Sequence, residues 1–383
     1  MKKKILIRIG SLRHGGAEKV LVTFLKNLPK DKYEIDLLLN LYSGKYLSEV
    51  PDWIHVLYLN KGEMITTNRI QDIPQKAFRV IYQKVLKLFP KLLYQIILKN
   101  KQYDIEFAAI QGMAKEILNS PLKHSKKIVW IHSDLRKATY QTYSDDDLRR
   151  FFGFDKIMVN ADEVLMDFES LSSNEGESDR LVRIYNPLDT QEVLRLSNET
   201  VEECHFSKET PTFIAIGTVY PAKGYDRLLK VHKRLIDEGF HHRLLILGDG
   251  YDFKKIRKLK ESLVLNDTVK LLGYVKNPYP YLKAADYFVL SSRYESFPTV
   301  LFEATILRKK IISTIVPGAE ELLKNGSLGL LVENSTDGIY QGMKKALENP
   351  LSFDQYVEAF SCYDSPFILE NSVQKIQQIL DEL

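Results

Sequence analysis

One pattern constrains the fold of this chain more than any other feature, and the chain shows it twice. In the first half, an apolar strand at residues 4–9 leads through a glycine-containing turn at residues 10–16 into an amphipathic helix that starts at about Glu18, and a second apolar strand follows at residues 35–41. Two apolar strands joined by a helix form a βαβ unit, whose right-handed crossover places both strands parallel in one sheet. The first half is therefore predicted to be a doubly wound α/β domain.

The second half restarts the same pattern. A strand at residues 212–216, a turn at 217–224 and a helix at 226–238 precede the next strand, at 242–247. Further strand candidates lie at residues 55–59, 104–109, 127–131, 156–159, 269–272, 287–290 and 310–315. Since 383 residues suffice for two domains, we predict an α/β protein of two Rossmann-like, doubly wound domains that face a central cleft.

The domain boundaries follow from the polar stretch between the two halves. Residues 185–211 contain Asn186-Pro187 and many polar side chains, which indicates a linker. We therefore expect a first domain at residues 1–188 and a second at residues 205–366. A last helix, at about residues 367–383, could pack back on the first domain.

Composition excludes several classes of protein. Aromatic residues make up 11% of the chain, whereas disordered chains are poor in them. Cys204 and Cys362 are too few for a disulfide framework or a zinc site. No stretch approaches the roughly 20 apolar residues of a membrane span, and the first residues lack the long apolar region of a secretory signal. We expect a cytoplasmic protein, or one that is peripheral on the inner face of the cell membrane.

The most informative segment is Glu295-Ser-Phe-Pro-Thr-Val-Leu-Phe-Glu303, which follows the predicted strand at residues 287–290. Pro298 fits the first turn of a helix, so that the free backbone N–H groups of Thr299 and Val300 would suit a phosphate or sugar oxygen. Two carboxylates spaced in this way can each bind a vicinal diol, one on each side of a bound diphosphate. The alternative is a pair of surface glutamates at a helix start.

The surroundings of this segment resemble the retaining glycosyltransferases of family 4, which have the GT-B fold. The E-x7-E motif of that family matches Glu295 and Glu303. Other segments match family features in the same order along the chain: Gly15-Gly-Ala-Glu18, Trp130-Ile-His132, Ile184-Tyr-Asn-Pro187, Lys223-Gly224, Gly248-Asp-Gly250 and Pro317-Gly-Ala-Glu320. The resemblance covers nearly the whole chain and is specific for the fold and the reaction class, though not for the sugar.

The resemblance implies roles for individual residues. Glu303 would hold the ribose hydroxyls of a nucleotide, and Glu295 would contact sugar hydroxyls. Lys223 would neutralise the departing diphosphate, and His132 would contact the donor sugar near the reacting carbon. The implied catalytic residues are therefore Glu295, His132 and Lys223. The implied donor-binding residues are Gly15, Gly16, Thr218, Lys223, Asp249, Tyr274, Val275, Ser296, Phe297, Pro298, Thr299, Val300 and Glu303.

One position departs from the family pattern. The family usually places an arginine beside the glycine that follows the first strand of the second domain, whereas this chain reads Gly217-Thr218-Val219. Thr218 offers a hydroxyl and no charge. Lys223 must then neutralise more of the diphosphate charge, or Arg293 or Arg227 takes the place of the missing arginine.

No cluster has convincing metal-ligand spacing. Residues 144–147, Ser-Asp-Asp-Asp, contain a D-x-D motif of the kind that binds metal in the other glycosyltransferase fold. A serine N-cap with aspartates in the first helical turn explains it better. We expect neither a metal nor a cofactor, so that backbone amides and lysine would handle the diphosphate.

Residues 74–101 are rich in basic and apolar residues and contain no acidic residue. Seven apolar residues fall on one helical face, which is interrupted at Pro90: Phe78, Ile81, Val85, Leu88, Phe89, Leu92 and Ile96. Such a stretch suits an anionic membrane surface, and the alternative is a helix packed on its own sheet with its lysines in solvent. Nucleic acid is not an expected partner, because the sequence has no recognised nucleic-acid module and its pI is about 8.6.

The family resemblance implies a retaining glycosyltransferase that moves a hexose or an N-acetylhexosamine from a nucleotide diphosphate sugar, with UDP as the favoured nucleotide. The implied acceptor is a lipid-linked, lipopolysaccharide or capsule glycan. One alternative is a non-catalytic subunit that binds sugar nucleotides and supports another transferase, which Thr218 motivates. Another is a GT-B epimerase or phosphorylase.

Overall fold

A computed structural model of the chain describes residues 2–13, 15–62, 73–133, 135–136, 142–200, 210–295, 297–360, 363, 365 and 367–383. The chain divides into two compact units. The first comprises Met1–Leu188 together with Phe367–Leu383, and the second is Asp189–Pro366. Among the described residues, no helix has the length and apolar character that crossing a membrane requires.

The first unit is built on a parallel sheet of seven strands. They are β1 (Lys3–Ile9), β2 (Tyr33–Tyr42), β3 (His55–Lys61), β4 (Ile105–Ala108), β5 (Lys126–Ile131), β6 (Lys156–Val159) and β7 (Leu181–Arg183), in the order β3-β2-β1-β4-β5-β6-β7. The helices are α1 (Gly16–Lys26), α2 (Ile73–Leu88), α3 (Pro90–Ile96), α4 (Ala114–Leu118), α5 (Asp145–Arg149), α6 (Asp162–Leu171) and α7 (Glu175–Ser178). The order of the strands reverses between β1 and β4.

The second unit has a parallel sheet of six strands. They are β8 (Thr212–Ile216), β9 (Arg243–Leu247), β10 (Val269–Gly273), β11 (Tyr287–Leu290), β12 (Lys310–Thr314) and β13 (Leu330–Val332), in the order β10-β9-β8-β11-β12-β13. The helices are α8 (Thr190–Leu196), α9 (Tyr225–Asp237), α10 (Phe253–Ser262), α11 (Tyr279–Ala284), α12 (Thr299–Ile306), α13 (Pro317–Leu322), α14 (Thr336–Glu348) and α15 (Asp354–Ala359). The order of the strands reverses between β8 and β11.

The last helix, α16 (Leu369–Glu382), belongs to the first unit. Its apolar residues Ile376, Ile379 and Leu380 are buried in the same core cluster as β1 and α1. Polar contacts reinforce the packing, because the Lys3 ammonium donates to the Leu380 carbonyl over 2.7 Å and the Tyr33 hydroxyl donates to an Asp381 carboxylate oxygen over 2.7 Å.

These two parallel, doubly wound sheets confirm the predicted fold class. Each predicted strand is present with ends within two residues of those expected, whereas β7 and β13 were not predicted, because three residues are too few for a periodic signal. The second unit also includes α8, which lies upstream of residue 205, where the sequence placed the start of that domain.

Candidate active site

The turns that follow β8 and β11 lie side by side in the second unit, since these two strands are neighbours at the point where the strand order reverses. Ligands of open α/β sheets bind outside the carboxyl ends of the strands at such a point. The candidate site therefore lies at these two turns.

Two glycines let the turns approach each other closely. Gly224 has a φ of +68°, and a Cβ there would lie 2.1 Å from the Ser291 carbonyl oxygen. Gly248 has a φ of +142°, and a Cβ there would lie 1.9 Å from the Gly217 carbonyl oxygen. Only glycine tolerates both the conformation and the contact. As a result, the turns after β8, β9 and β11 touch one another at the carboxyl edge of the sheet.

Lys223 and Glu295, two of the three residues that the sequence implied to be catalytic, meet at this edge. The Lys223 ammonium donates to Oε1 of Glu295 in an ion pair, and both side chains are largely buried. The Ser292 hydroxyl donates to the same carboxylate oxygen over 2.8 Å. The Ser291 hydroxyl donates to the backbone carbonyl of Lys223 over 2.8 Å. The site therefore holds one cation and one anion in fixed positions.

Two arginines fix the loop that carries Glu295. Arg293 makes a bidentate ion pair with Asp226, with both N···O distances at 2.8 Å, and also donates to the Pro221 carbonyl. Arg227 is buried and donates to the Ser291 carbonyl over 2.9 Å. Burial lowers the pKa of Arg227 to about 10, and the neighbouring Arg293 charge adds to the effect.

The sequence offered Arg227 and Arg293 as substitutes for the missing family arginine, and this stays a prediction. In the structure both guanidinium groups bond to protein oxygens, including Asn334 Oδ1 at 2.6 Å from Arg227 Nη2. Thr218 lies half-buried in the turn after β8. The sequence did not predict that Arg227 would donate to Ser291 or that Arg293 would pair with Asp226.

Helix α12 begins at Thr299, and Thr299 and Val300 occupy its first two positions. Amides at these positions have no partner within the helix and point toward its N-terminal end. Pro298 is the N-cap residue, one position before the predicted one, and Phe297 beside it is buried. This helix start therefore supplies donors that favour an anion. The predicted contact at Ser296 lies outside the described residues.

Glu303 lies within α12, only 5% exposed. The Tyr279 hydroxyl donates to Oε1 of Glu303 over 3.1 Å. Sequence reasoning singled out Glu303 but not Tyr279, because no motif links the two positions.

The remaining donor-binding candidates of this unit line the neighbouring strand ends. Asp249 is exposed after β9, and its carboxylate accepts the Gly250 N–H over 2.7 Å. Tyr274 and Val275 are half-buried directly after β10. All three residues thus lie at the same carboxyl edge as Lys223.

His132 follows β5 in the first unit. Its Nε2 lies 3.1 Å from the Ala109 carbonyl oxygen, so this nitrogen carries the proton and donates. Burial lowers the pKa of His132 to about 4, against the opposing effects of the Ala109 carbonyl and of a hydrogen bond with the buried Asn186. The ring is therefore neutral at pH 7. The sequence placed Asn186 at the end of the domain and did not predict its contact with His132.

Gly15 precedes α1, and Gly16 is its first residue. The Glu18 carboxylate lies over this turn, since a Cβ on Gly15 would be 2.1 Å from Glu18 Oε2. Burial raises the pKa of Glu18, and hydrogen bonds with the backbone of Glu18 and Gly15 act in the opposite direction. A carboxylate thus already lies at the N-terminus of α1, where an anion is favoured.

The Asp145–Arg149 helix confirms the capping interpretation of residues 144–147. Ser144 is its N-cap, the Ser144 hydroxyl accepts the Asp147 N–H, and Asp147 accepts the Ser144 N–H in return. Within the part of the chain that the structure describes, no three His, Cys, Asp or Glu side chains cluster as metal ligands would.

The chain is similar in sequence to known glycosyltransferases. The model of the family "Glycosyl transferases group 1" matches residues 198–360. A Campylobacter jejuni protein, N-acetylgalactosamine-N,N'-diacetylbacillosaminyl-diphospho-undecaprenol 4-alpha-N-acetylgalactosaminyltransferase, is 28% identical over 357 residues, which are 91% of either chain. The Rhizobium meliloti lipopolysaccharide core biosynthesis glycosyltransferase LpsE is 29% identical over 140 residues, which are 37% of this chain and 39% of LpsE.

Solved structures agree on the fold. Anabaena Alr3699/HepE in complex with UDP and glucose superposes with a TM-score of 0.73 at 18% identity, with all of both chains covered. WaaG, a glycosyltransferase involved in lipopolysaccharide biosynthesis, gives 0.67 at 14% identity, with 98% of this chain and 99% of WaaG covered. The family model that matches residues 198–360, the glycosyltransferase that is similar over nearly the whole chain and the two doubly wound sheets together support a glycosyltransferase that resembles those of family 4 and has the GT-B fold.

Proposed function

We propose that the chain transfers a hexose or an N-acetylhexosamine from a nucleotide diphosphate sugar, UDP-linked, to a lipid-linked or surface-polysaccharide glycan, with retention at the anomeric carbon. The observation that carries the proposal is the Lys223–Glu295 pair beside the N-terminus of α12. The name of the Campylobacter jejuni relative supports a diphospho-undecaprenol-linked acceptor. The complex of Alr3699/HepE with UDP-glucose supports a UDP donor.

The donor diphosphate would lie against the first amides of α12, where the helix dipole favours negative charge. Lys223 would then exchange its Glu295 partner for the diphosphate, which carries more negative charge. Glu295, still held by the Ser292 hydroxyl, would accept a hydrogen bond from a sugar hydroxyl. Glu303 would accept from the ribose hydroxyls.

In the proposed transfer, the bond between the anomeric carbon and the leaving phosphate oxygen breaks while a bond to the acceptor oxygen forms on the same face. The leaving phosphate oxygen takes the proton of the acceptor hydroxyl. No protein nucleophile is required, unlike in retaining glycosidases with two carboxylates. Lys223 and the α12 amides stabilise the charge that develops on the diphosphate, so we propose a reaction without metal or cofactor.

His132 fits this reaction as a neutral residue. The reacting sugar gains oxocarbenium character, and an imidazolium beside it would repel that positive charge. The neutral ring, fixed by Ala109 and Asn186, adds no such repulsion. We propose that it contacts the donor sugar near the reacting carbon.

We also propose that α2 and α3, here called the basic helical pair, bind an anionic membrane surface. Phe78 and Leu88 are 67% and 73% exposed, and Ile81, Phe89 and Ile96 are exposed as well. Leu86, Leu93 and Tyr94 of the same pair are buried. If the pair packed fully on the sheet, the exposed apolar side chains would be buried as well. These exposed apolar side chains are here called the exposed apolar row. The same two helices also carry exposed lysines, and this combination is the pattern of an interfacial helix. Binding of this kind would bring the enzyme to the membrane surface that carries its acceptor.

The test is release of UDP from a panel of UDP-sugars by purified protein in the presence of EDTA. We expect UDP release with one sugar of the panel. NMR should show that the anomeric carbon of the transferred sugar keeps the configuration it has in the donor. Lys223→Met should lower the rate about 10²–10³-fold, because stabilisation of the leaving group is lost. Lys310→Met is the matched control, since Lys310 also forms an ion pair in this unit, with Asp354 over 2.6 Å, at the opposite end of β12.

Three results would contradict the proposal. Nucleotide-sugar binding without release or transfer would favour the non-catalytic subunit. Activity that EDTA abolishes and manganese restores would show a metal-dependent reaction. An equal loss in Lys223→Met and Lys310→Met would mean that Lys223 acts through stability.

A further inference from the structure

Tyr279 is a buried tyrosine whose hydroxyl is aimed at the proposed ribose-binding carboxylate. Its Oη lies 3.1 Å from Oε1 of Glu303, and the two residues are 4% and 5% exposed. A phenol that donates to a carboxylate forms a charge-assisted hydrogen bond, which is stronger than a bond between neutral groups. Tyr279 therefore constrains the orientation of Glu303 directly.

The backbone of Tyr279 is itself fixed. The Asn277 side-chain oxygen accepts the Tyr279 N–H over 3.2 Å, while its amide nitrogen donates to the Leu196 carbonyl over 2.9 Å and to Glu199 over 2.7 Å. Helix α8 and the residues just after it thus fix the start of α11, where Tyr279 lies. A ring held in this way can hold the carboxylate in one rotamer.

Orientation matters because a glutamate side chain has three rotatable bonds. A carboxylate that contacts two neighbouring hydroxyls must keep its plane and direction, and ordering it only on binding would cost affinity. We infer that Tyr279 is a positioning residue that preorganises Glu303 for the ribose hydroxyls and so makes the donor site selective for ribonucleotides over deoxynucleotides. The inference rests on the proposed donor site, in which Glu303 contacts ribose.

The experiment measures the affinity of the full chain for UDP and for 2′,3′-dideoxyuridine diphosphate by calorimetry. The parent protein should bind UDP more tightly. Tyr279→Phe should weaken UDP binding about five-fold and leave the affinity for the dideoxy nucleotide unchanged. The reason is that the Tyr279 hydroxyl orients Glu303, and Glu303 contacts only the ribose hydroxyls that the dideoxy nucleotide lacks. Tyr287→Phe is the matched control, since the Tyr287 hydroxyl is also buried in this unit and donates to the Ala346 carbonyl over 3.1 Å. It should change neither affinity.

A double-mutant cycle adds an independent measurement. In a Glu303→Ala background, Tyr279→Phe should cause no additional loss of UDP affinity, since the carboxylate on which it acts has been removed. An additional five-fold loss there would overturn the inference.

The outcomes separate the inference from the proposed function. Preference for UDP in the parent with unchanged affinity in Tyr279→Phe would overturn the inference and leave the donor site standing. Equal weakening of both nucleotides by Tyr279→Phe would also overturn it, because the tyrosine would then act through the fold. A parent protein that binds both nucleotides equally, or binds neither, would overturn the proposed Glu303–ribose contact itself.

Discussion

His232 and His242 are almost fully buried in the second unit, and their ring centroids are 4.3 Å apart. His232 Nε2 lies 2.9 Å from the Thr268 hydroxyl, and His242 Nδ1 donates to the Phe240 carbonyl over 2.8 Å. Burial lowers the pKa of His232 to about 3, with the His242 charge adding to the effect, and burial lowers the pKa of His242 to about 4. Both rings are therefore neutral in the folded protein near neutral pH.

This pair predicts acid sensitivity of the second unit. An unfolded histidine has a pKa of about 6.5, so below that pH the unfolded chain binds protons that the folded chain rejects. The free energy of unfolding should be largest above pH 6.5 and should fall by about 1.4 kcal/mol per histidine for each pH unit between 6.5 and about 4. Urea unfolding of the parent and of His232→Gln at pH 7, 6 and 5 measures this, and the variant should show the shallower dependence. Equal pH dependence in both proteins would refute it.

Residue-scale contacts mark the limit of what the sequence could predict. The motif Glu295–Glu303 and Lys223 were identified because family motifs are local strings. Arg227 with Ser291 and Tyr279 with Glu303 join positions 64 and 24 residues apart. No periodicity or spacing rule connects such pairs, so only the folded sheet edge reveals them.

At the scale of elements, parallel strands gave the strongest signal. Strands buried on both faces read as continuous apolar runs, as β8 and β11 do. Helix α2 could be recognised in the sequence as amphipathic, yet the sequence left open which of its residues face solvent. The structure separates the two sets, since Leu86 is buried while Phe78 and Leu88 are exposed.

The exposed apolar row predicts that the basic helical pair binds anionic vesicles. The parent protein should cosediment with vesicles that contain phosphatidylglycerol, and added salt should weaken this binding. Lys84→Gln with Lys91→Gln should weaken it further, since each basic residue near the surface contributes about 1 kcal/mol. Phe78→Ser with Leu88→Ser should weaken binding at every salt concentration, because the apolar contact is independent of charge.

The controls come from the second unit. Lys254 and Lys258 are exposed on α10, and Leu351 is 75% exposed, so Lys254→Gln with Lys258→Gln and Leu351→Ser remove similar groups elsewhere. They should leave vesicle binding unchanged. Binding that is insensitive to lipid charge, or equally weakened by the controls, would leave the basic helical pair as a surface helix without a membrane partner.

At the scale of the whole molecule, the last helix of the chain packs with the first strand and the first helix. Lys3 and Leu380 are 377 positions apart and share a hydrogen bond, and α16 completes the core of the first unit. The sequence predicted a last helix that could pack back on the first domain, but it could not supply the contacts, since they join the two ends of the chain. The first unit therefore cannot bury its core fully until the last residues are present.

Two buried isoleucines test whether the units unfold separately. Ile376 on α16 and Ile339 on α14 are both 0% exposed, and they belong to different core clusters, one in each unit. Replacing either by alanine removes buried methyl and methylene groups and should cost about 2–5 kcal/mol. Because each unit has its own core, calorimetry should resolve two thermal transitions. Ile376→Ala should lower the midpoint of one, Ile339→Ala that of the other, and the double variant both. If both single variants shifted one common transition by similar amounts, the two units would unfold as one cooperative body, and α16 would stabilise the whole chain rather than the first unit.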